Sequence, residues 1–351
     1  MDRKTILEIL RASNFAPSGE NSQPWLFKIY ETQVDIFNDP TKDTSLYNYN
    51  QHSNLTSHGC LIENILITTS ALGYGAELKI SESGENDLVA SIVFNEQNSE
   101  YHPDLYPYIS KRCTNRKPYK KMRLTEKDKA QIFTTRNNAN LGFIENLENI
   151  RKLSISGATN EKIVFENKEL HSYLFKHMTW TKEQDSLDPG FYIKTLELPP
   201  PIEMLFKLFR SWSIVKYLNK IGFSEFIKFS NHSIYQKAAG MGVVTLSNLT
   251  KEAYIRAGMR FQRLWLVATK CNISIQPLTG VLYFMRTIES GGAKNFSEAH
   301  AKEIRRCYNI TQDIFALPEN NIPLIMFRIG YGDPPSGHTS RYPIDKFIIN
   351  K

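Results

Sequence analysis

The stretch Ala16-Pro-Ser-Gly-Glu-Asn-Ser-Gln-Pro-Trp25, APSGENSQPW, is the most informative part of the chain. Its prolines and Gly19 fix a tight path, and a glycine lets the backbone approach a flat ligand closely. Ser18, Asn21 and Gln23 supply both hydrogen-bond donors and acceptors, which can match the mixed edge of a pyrimidine-like ring. Turns use the same residue types, so the residues alone leave open a simple capping and turn loop.

A second stretch, Arg112-Cys-Thr-Asn-Arg116, combines two guanidinium groups with a hydroxyl. Arginine offers bidentate charged donors and threonine adds a short one, and this combination suits a phosphate group. Arg341, after the last predicted strand, would be a third such cation. A solvated basic linker is the alternative for this segment taken alone.

Together, these stretches resemble the nitroreductase superfamily of flavin mononucleotide (FMN) proteins. The first is similar to that family's loop AP-S-x-x-N-[ST]-Q-P-W, and RCTNR is similar to its phosphate motif R-x-[ST]-x-R. The predicted helix 258–271 with the following SIQPLTG resembles the family's helix and flavin-facing segment. GYGDPPSGHTSRYPIDKFI resembles its C-terminal end, where a basic residue reaches the phosphate. The resemblance is anchored at residues 1–30, 58–80, 111–119, 255–280 and 322–348.

The resemblance implies a role for each residue of the site. The phosphate of FMN would be held by Arg112, Thr114, Arg116 and Arg341. The isoalloxazine ring would be contacted by Pro17, Ser18 and Asn21, with Gln23 supporting the loop. The reactive edge of the ring would lie near Pro277, Leu278, Thr279 and Gly280. Thr114 replaces the commoner serine and keeps its hydroxyl, whereas Thr279-Gly280 departs from the acidic residue often found there.

The order of the two motifs is the reverse of that in single-domain members of the family, which dimerise to complete each site. Here the loop stands in the first half of the chain and the arginine motif follows at 112–116, so one complete site can be assembled only across the two halves. The arrangement resembles the fused, Acg-like branch of the superfamily, whose single chain imitates the usual dimer. We therefore expect one FMN per chain and a monomer that needs no partner subunit.

The pattern of apolar residues predicts an α+β fold. Short strands are expected at 26–30, 34–37, 77–81, 88–94 and 325–330, and buried helices at 58–72 and 258–271. The two helices place Gly59 and Gly258 at matching positions, and each ends before a residue suited to the left-handed conformation, Gly73 or Asn272. The prediction is a tandem nitroreductase-like fold of two half-domains, 1–110 and 111–351, each with a mostly antiparallel sheet flanked by helices.

A segment at about residues 180–245 interrupts the second half. Its central stretch, IEMLFKLFRSWSIVKYLNKIGFSEFIKF (202–229), alternates Phe206, Phe209 and Phe223 with lysines and an arginine. A basic, aromatic amphipathic helix of this kind can lie on a membrane surface. We favour a helical lid or packing arm, because no lipidation motif accompanies the segment.

Composition and missing motifs exclude several other classes of protein. The chain has 351 residues and a net charge of +7, but its basic residues are scattered, which argues against a dedicated nucleic-acid-binding protein. Its four cysteines are far apart, with no CxxC pair, as expected for a reducing, cytoplasmic compartment. No apolar run approaches the ~18 residues of a membrane span, and the first residues predict a helix rather than a secretory signal. HExxH and GxSxG motifs are missing, so we name no metal and no catalytic side chain.

The resemblance also implies an activity, in which the flavin does the chemistry and the protein positions it. The expected protein is an FMN-dependent NAD(P)H oxidoreductase that transfers two electrons as a hydride, through flavin N5, to a small-molecule acceptor such as a nitroaromatic or quinone. The alternative is a flavin-sequestering or storage protein with a lid-covered FMN and little turnover, because this branch carries a lid where residues 180–245 stand. The sequence does not distinguish NADH from NADPH.

Overall fold

Two four-stranded antiparallel sheets, each covered by helices, organise the chain. The computed structural model describes residues 1–82, 87–133 and 140–349. The described strands are β1 (Trp25–Ile29), β2 (Gln33–Asn38), β3 (Gly75–Ile80), β4 (Leu88–Asn95), β5 (Leu141–Ile144), β6 (Met178–Thr179), β7 (Phe191–Tyr192), β8 (Gly240–Leu246), β9 (Ser274–Pro277) and β10 (Ile322–Gly330). The described helices are α1 (Arg3–Ser13), α2 (His52–Ala71), α3 (Tyr106–Ile109), α4 (Glu126–Phe133), α5 (Leu147–Glu166), α6 (Lys168–His177), α7 (Lys182–Leu187), α8 (Pro200–Phe206), α9 (Trp212–Asn219), α10 (Phe223–Tyr235), α11 (Lys251–Lys270), α12 (Gly280–Thr287) and α13 (Glu298–Ile314).

The two sheets repeat one strand order. The first sheet runs β1-β2-β4-β3 and the second β5-β8-β10-β9, and all neighbouring strands in both are antiparallel. In each sheet the first and third strands in chain order lie at the two edges. A long helix, α2 in the first sheet and α11 in the second, connects the second strand to the third. The predicted α+β class with mostly antiparallel sheets is therefore confirmed.

The long helices α2 and α11 pack against each other at a pair of glycines. A Cβ added to Gly59 would lie 2.0 Å from the carbonyl oxygen of Ile255, and one added to Gly258 would lie 2.0 Å from that of Thr56. Only glycine permits so close an approach of two backbones. The matching glycines of the sequence repeat are thus the contact point between the halves. Just beyond the two helices, Gly73 and Asn272 take the left-handed conformation as predicted, with φ values of +84° and 56°.

The segments that follow the two sheets cross to the opposite half. After β4, Thr114 forms a parallel bridge with Ile275 at the edge of the second sheet. After β10, Ile348 forms a parallel bridge with Phe27 of the first sheet. Phe347 is buried and packs edge-on against the ring of Phe27 in the first core. The chain end therefore packs with the first half, while the division at residue 110 stays a prediction.

The interrupting segment ends earlier than predicted. Helices α5 to α10 stand between β5 and β8, but residues 240–246 form β8, a central strand of the second sheet whose seven residues are all buried. Such a strand shows no alternation of polar and apolar residues, so the period-two pattern could not reveal it. Its glycines make room for aromatic rings, since a Cβ at Gly242 would lie 2.2 Å from the ring of Phe327. None of the described helices has the length and apolar content needed to span a bilayer.

Candidate functional site

The loop between α1 and β1 is held by its own side chains. The hydroxyl of Ser18 accepts a hydrogen bond from the Gln23 backbone N–H at 2.9 Å. The Gln23 amide donates to the carbonyl oxygen of Asn21 at 3.1 Å and accepts from the Tyr342 N–H at 3.1 Å. Gln23 is fully buried and lines neither cavity described below, so it supports the loop from behind.

The backbone of this loop is more strained than its glycine suggests. Glu20, Asn21 and Gln23 have positive φ values of 42°, 64° and 50°, a region that costs energy for a residue with a Cβ. Gly19 serves a close approach instead, because a Cβ there would lie 3.0 Å from Oδ2 of Asp43. The prediction that the loop follows a tight path is met, but the unusual conformation falls on its polar residues.

Three arginines and the loop enclose a first cavity of about 200 Å³. Arg112 and Arg116 come from the segment that crosses to the second half, and Arg341 comes from the segment that returns to the first. Thr114 lies between the first two arginines. The predicted residues that line this cavity are Pro17, Ser18, Asn21, Arg112, Thr114, Arg116 and Arg341.

The three arginines are held by carbonyl oxygens and aromatic rings. Arg112 donates to the Phe15 carbonyl at 3.0 Å, and its guanidinium carbon lies 4.4 Å from the centre of the Trp265 ring. Arg116 donates to the Thr195 carbonyl at 3.0 Å, and Arg341 donates to the Asn14 carbonyl at 3.1 Å. These contacts orient the guanidinium groups without neutralising them.

The first cavity therefore carries excess positive charge. In the described part of the chain, the arginine ion pairs within 4.0 Å involve Arg256, Arg263 and Arg286, none of which lines the cavity. Burial, together with the charge of Arg112, lowers the pKa of Arg341 to about 9. A group of like charges that repel one another in this way favours a bound anion.

Two buried polar atoms at this cavity have no hydrogen-bond partner among the described residues. They are Nε of Arg112 and Oδ1 of Asn21, and each side chain is 7% exposed. The Asn21 amide nitrogen is engaged, since it donates to the Ser340 carbonyl at 3.0 Å. A buried group without a partner is costly, so the site offers one charged donor and one acceptor to a ligand. This donor set fits FMN, which has both an anionic phosphate and a ring N–H.

A second cavity of about 290 Å³ adjoins the first and shares Glu20, Arg116 and Phe191 with it. The predicted residues Pro277, Leu278, Thr279 and Gly280, at the end of β9 and the start of α12, line this cavity. A Cβ on Gly280 would lie 1.9 Å from Oδ1 of Asn160, so the turn depends on a glycine. Much of the opposite wall is apolar and includes Phe206, Ile227 and Ile234 of the interrupting helices.

Two carboxyl groups that the sequence did not single out line the cavities, Glu20 both of them and Glu161 the second. Burial raises the pKa of Glu20 to about 8, assisted by the charges of Asp43 and Glu161 and opposed by Arg116. Burial also raises the pKa values of Asp43 and Glu161. Glu161 accepts a hydrogen bond from the Tyr235 hydroxyl at 3.3 Å. Glu20 was visible inside the quoted loop, whereas Glu161 and Tyr235 reach the site only through the packing of α5 and α10.

Comparison with known proteins gives distant similarities. No family model matches the chain. A curated relative, the "Uncharacterized protein MT1398" of Mycobacterium tuberculosis, is 20% identical over 340 residues, covering 93% of this chain and 46% of the relative. The chain thus spans about half the length of that relative.

Among solved structures, the chain is similar to a putative nitroreductase from Anabaena variabilis, with a TM-score of 0.46 and 9% identity over 94% of this chain and 88% of that one. Iodotyrosine deiodinase bound to FMN and 3-iodo-L-tyrosine gives a TM-score of 0.36 and 13% identity, over 68% of this chain and 95% of that one. The FMN-dependent nitroreductase NfnB from Mycobacterium smegmatis, in complex with NADPH, gives a TM-score of 0.36 and 12% identity, over 71% of this chain and 94% of that one.

Proposed function

We propose that the chain holds one FMN between its two halves and is an FMN-dependent oxidoreductase of the nitroreductase type. The observation that carries this proposal is the composition of the first cavity. Arg112, Arg116 and Arg341 gather there without carboxylate partners among the described residues, beside a loop whose Asn21 has a free buried acceptor. An anionic ligand with a hydrogen-bonding edge satisfies both features.

The residues that would hold the FMN come from both halves. Its phosphate would be bound by Arg112, Thr114, Arg116 and Arg341. Its ring would be contacted by Pro17, Ser18 and Asn21 and would extend towards the turn 277–280. Because a single chain provides all of these groups, we propose that a monomer suffices.

When bound, FMN would supply two-electron chemistry, accepting a hydride from NAD(P)H and passing it to a nitroaromatic or quinone-like acceptor. The second cavity supports this proposal, because the apolar and aromatic side chains in its walls suit a flat acceptor. Reduction of such an acceptor also needs a proton. Glu20 lines both cavities and retains its proton at neutral pH, since its pKa is raised to about 8. Glu20 thus holds a proton where the acceptor would bind.

The phosphate role of the arginines is tested by comparing FMN with riboflavin, which lacks the phosphate. We expect wild-type protein to bind FMN more tightly, and Arg341→Gln to weaken FMN binding by about tenfold to a hundredfold, the value of one charge-assisted hydrogen bond. Arg341→Gln should bind riboflavin as tightly as the wild type does. This result would show that the variant's loop 16–25 is intact. Arg305→Gln, at an exposed arginine of α13, is the matched control. Equal affinity of wild-type protein for FMN and riboflavin would contradict the proposed phosphate site.

Turnover is tested by adding NADPH to the flavin-loaded protein under anaerobic conditions and following the visible spectrum. Bleaching of the yellow colour is the expected result. A protein that stays yellow would favour storage of FMN under a lid that keeps NADPH out. Phe206 lines the second cavity and Phe209 packs against it with ring centres 5.9 Å apart. Bleaching only after Phe206→Ala/Phe209→Ala would identify a closed lid.

A further inference from the structure

The helices that wall the second cavity are apolar on two sides. Phe206 and Val215 are buried, and Phe209, Phe223 and Ile227 pack against the core from α8 to α10. A helix that packs against a protein core on one side usually carries polar residues on the opposite side. In this segment the opposite face is apolar as well, so packing onto the second half does not account for its composition.

The outward side chains form what we call the outer lid face. It consists of Ile202, Met204, Leu205, Leu208, Ile214, Tyr217, Ile221, Phe226 and Phe229, each more than 40% exposed. These nine are more than half of the exposed large hydrophobic residues in the described chain, although they fall within 28 positions (202–229). Ile214 and Tyr217 lie three positions apart on α9, as do Phe226 and Phe229 on α10, so each pair shares one side of its helix, and Ile221 lies in the turn between the two helices. An apolar concentration of this kind marks an interaction surface.

The unpaired charges around the outer lid face are all positive. Lys207, Arg210, Lys216 and Lys220 are exposed, and none forms an ion pair within 4.0 Å in the described chain. The two acidic residues of 202–229 are already engaged, Glu203 with Lys194 at 2.9 Å and Glu225 with Lys162 at 2.7 Å. We call the four unpaired groups the lid cations. An anionic partner would therefore complement this face.

A second copy of the chain does not meet this requirement. A two-fold dimer places the same patch on both sides of the interface, which would bring two sets of lid cations together. The lid cations would then repel one another across the contact.

We propose that the outer lid face docks on an anionic membrane surface. Its phenylalanine, isoleucine, leucine and methionine side chains would enter the boundary between headgroups and acyl chains, and the lid cations would lie against the lipid phosphates. The face would lie on the membrane without spanning it. Because the same helices wall the second cavity, docking brings that cavity to the membrane surface.

The test is co-sedimentation of the full chain with vesicles, without any need for flavin. We expect binding at low salt to vesicles of phosphatidylglycerol and phosphatidylcholine, and little binding to phosphatidylcholine alone. The variant Lys207→Gln/Lys216→Gln/Lys220→Gln should lower the partition coefficient by about a hundredfold, because each basic residue near an anionic surface contributes about fivefold. The variant Phe226→Ser/Phe229→Ser, which alters only exposed side chains, should lose binding at every salt concentration.

Matched controls change the same residue types elsewhere on the surface. Lys4→Gln/Lys79→Gln/Lys302→Gln removes three exposed lysines, and Leu147→Ser/Leu249→Ser removes two exposed leucines. Both controls should bind like the wild type. Failure of the wild type to bind anionic vesicles would overturn the proposal, as would equal losses in lid and control variants. Sedimentation of the wild type as a dimer that Phe226→Ser/Phe229→Ser dissociates would assign the face to a second copy instead.

Discussion

Replacement of Glu20 by glutamine should change how the stability of the protein depends on pH. Burial and the nearby Asp43 and Glu161 carboxylates raise the pKa of Glu20 from its ordinary 4.5 to about 8, against the opposing charge of Arg116. Between these values the folded state retains a proton that the unfolded state has lost. The free energy of unfolding of the wild type should therefore fall as the pH rises through this window. Glutamine does not titrate, so the variant lacks this loss.

The size of the effect follows from the shift. One unit of pKa corresponds to about 1.4 kcal/mol, so a rise from 4.5 to about 8 sets an upper limit of roughly 5 kcal/mol. Glu20 keeps part of its surface in water, which screens its charge when it ionises. We therefore expect Glu20→Gln to gain about 2 kcal/mol over the wild type between about pH 5 and about pH 8.

Urea denaturation of flavin-free protein at a series of pH values measures this difference. Glu8→Gln, at an exposed position of α1, controls for the loss of a carboxylate as such and should follow the wild type. Parallel stability profiles for Glu20→Gln and the wild type would refute the reasoning, because they would show that Glu20 ionises as freely in the folded protein as in the unfolded chain.

Three further substitutions test the packing that builds the site. Gly59→Ala should lower the free energy of unfolding by about 3 kcal/mol in urea denaturation, because the added Cβ would lie 2.0 Å from a backbone oxygen of α11. An unchanged urea midpoint would show that α2 and α11 can move apart without loss of stability. Arg263→Ala should cost about 3 kcal/mol in the same assay, since Glu63 is fully buried and bonds to Arg263 at 2.6 Å, and a cost below about 1 kcal/mol would contradict this. Gly280→Ala should weaken FMN binding about tenfold in a fluorescence titration, because the added Cβ would lie 1.9 Å from Oδ1 of Asn160 and one of them must move. An unaltered affinity would show that the turn 277–280 does not contact the FMN.

The parts of the site that the sequence predicted are those in which neighbouring residues act together. The loop and the arginine motif each place several polar groups within a few positions, so their ligand-binding chemistry can be predicted from neighbouring residues alone. The matching glycines of the two long helices were also visible, and the structure brings Gly59 and Gly258 into contact. All of the predicted site residues other than Gln23 line the two adjoining cavities, while their binding roles stay predictions.

The parts that escaped prediction depend on packing between distant segments. Glu161 and Tyr235 lie on helices whose pattern gives no sign of a site, and only the packing of α5 against α10 brings them to the cavity. Strand β8 falls within the predicted interrupting segment because complete burial removes the alternation that identifies a strand. The positive φ values of Glu20, Asn21 and Gln23 also have no signal in the sequence, because the surrounding structure holds these residues in place.

Native mass spectrometry of the protein loaded with FMN tests the central claim most directly. The two motifs that resemble an FMN site occur once each, at residues 16–25 and 112–116 of one chain. We therefore predict a single species of one chain with one FMN, and loss of that species in Arg112→Gln/Arg341→Gln. Two FMN molecules per chain, FMN bound only to a dimer, or no retained FMN would contradict the account.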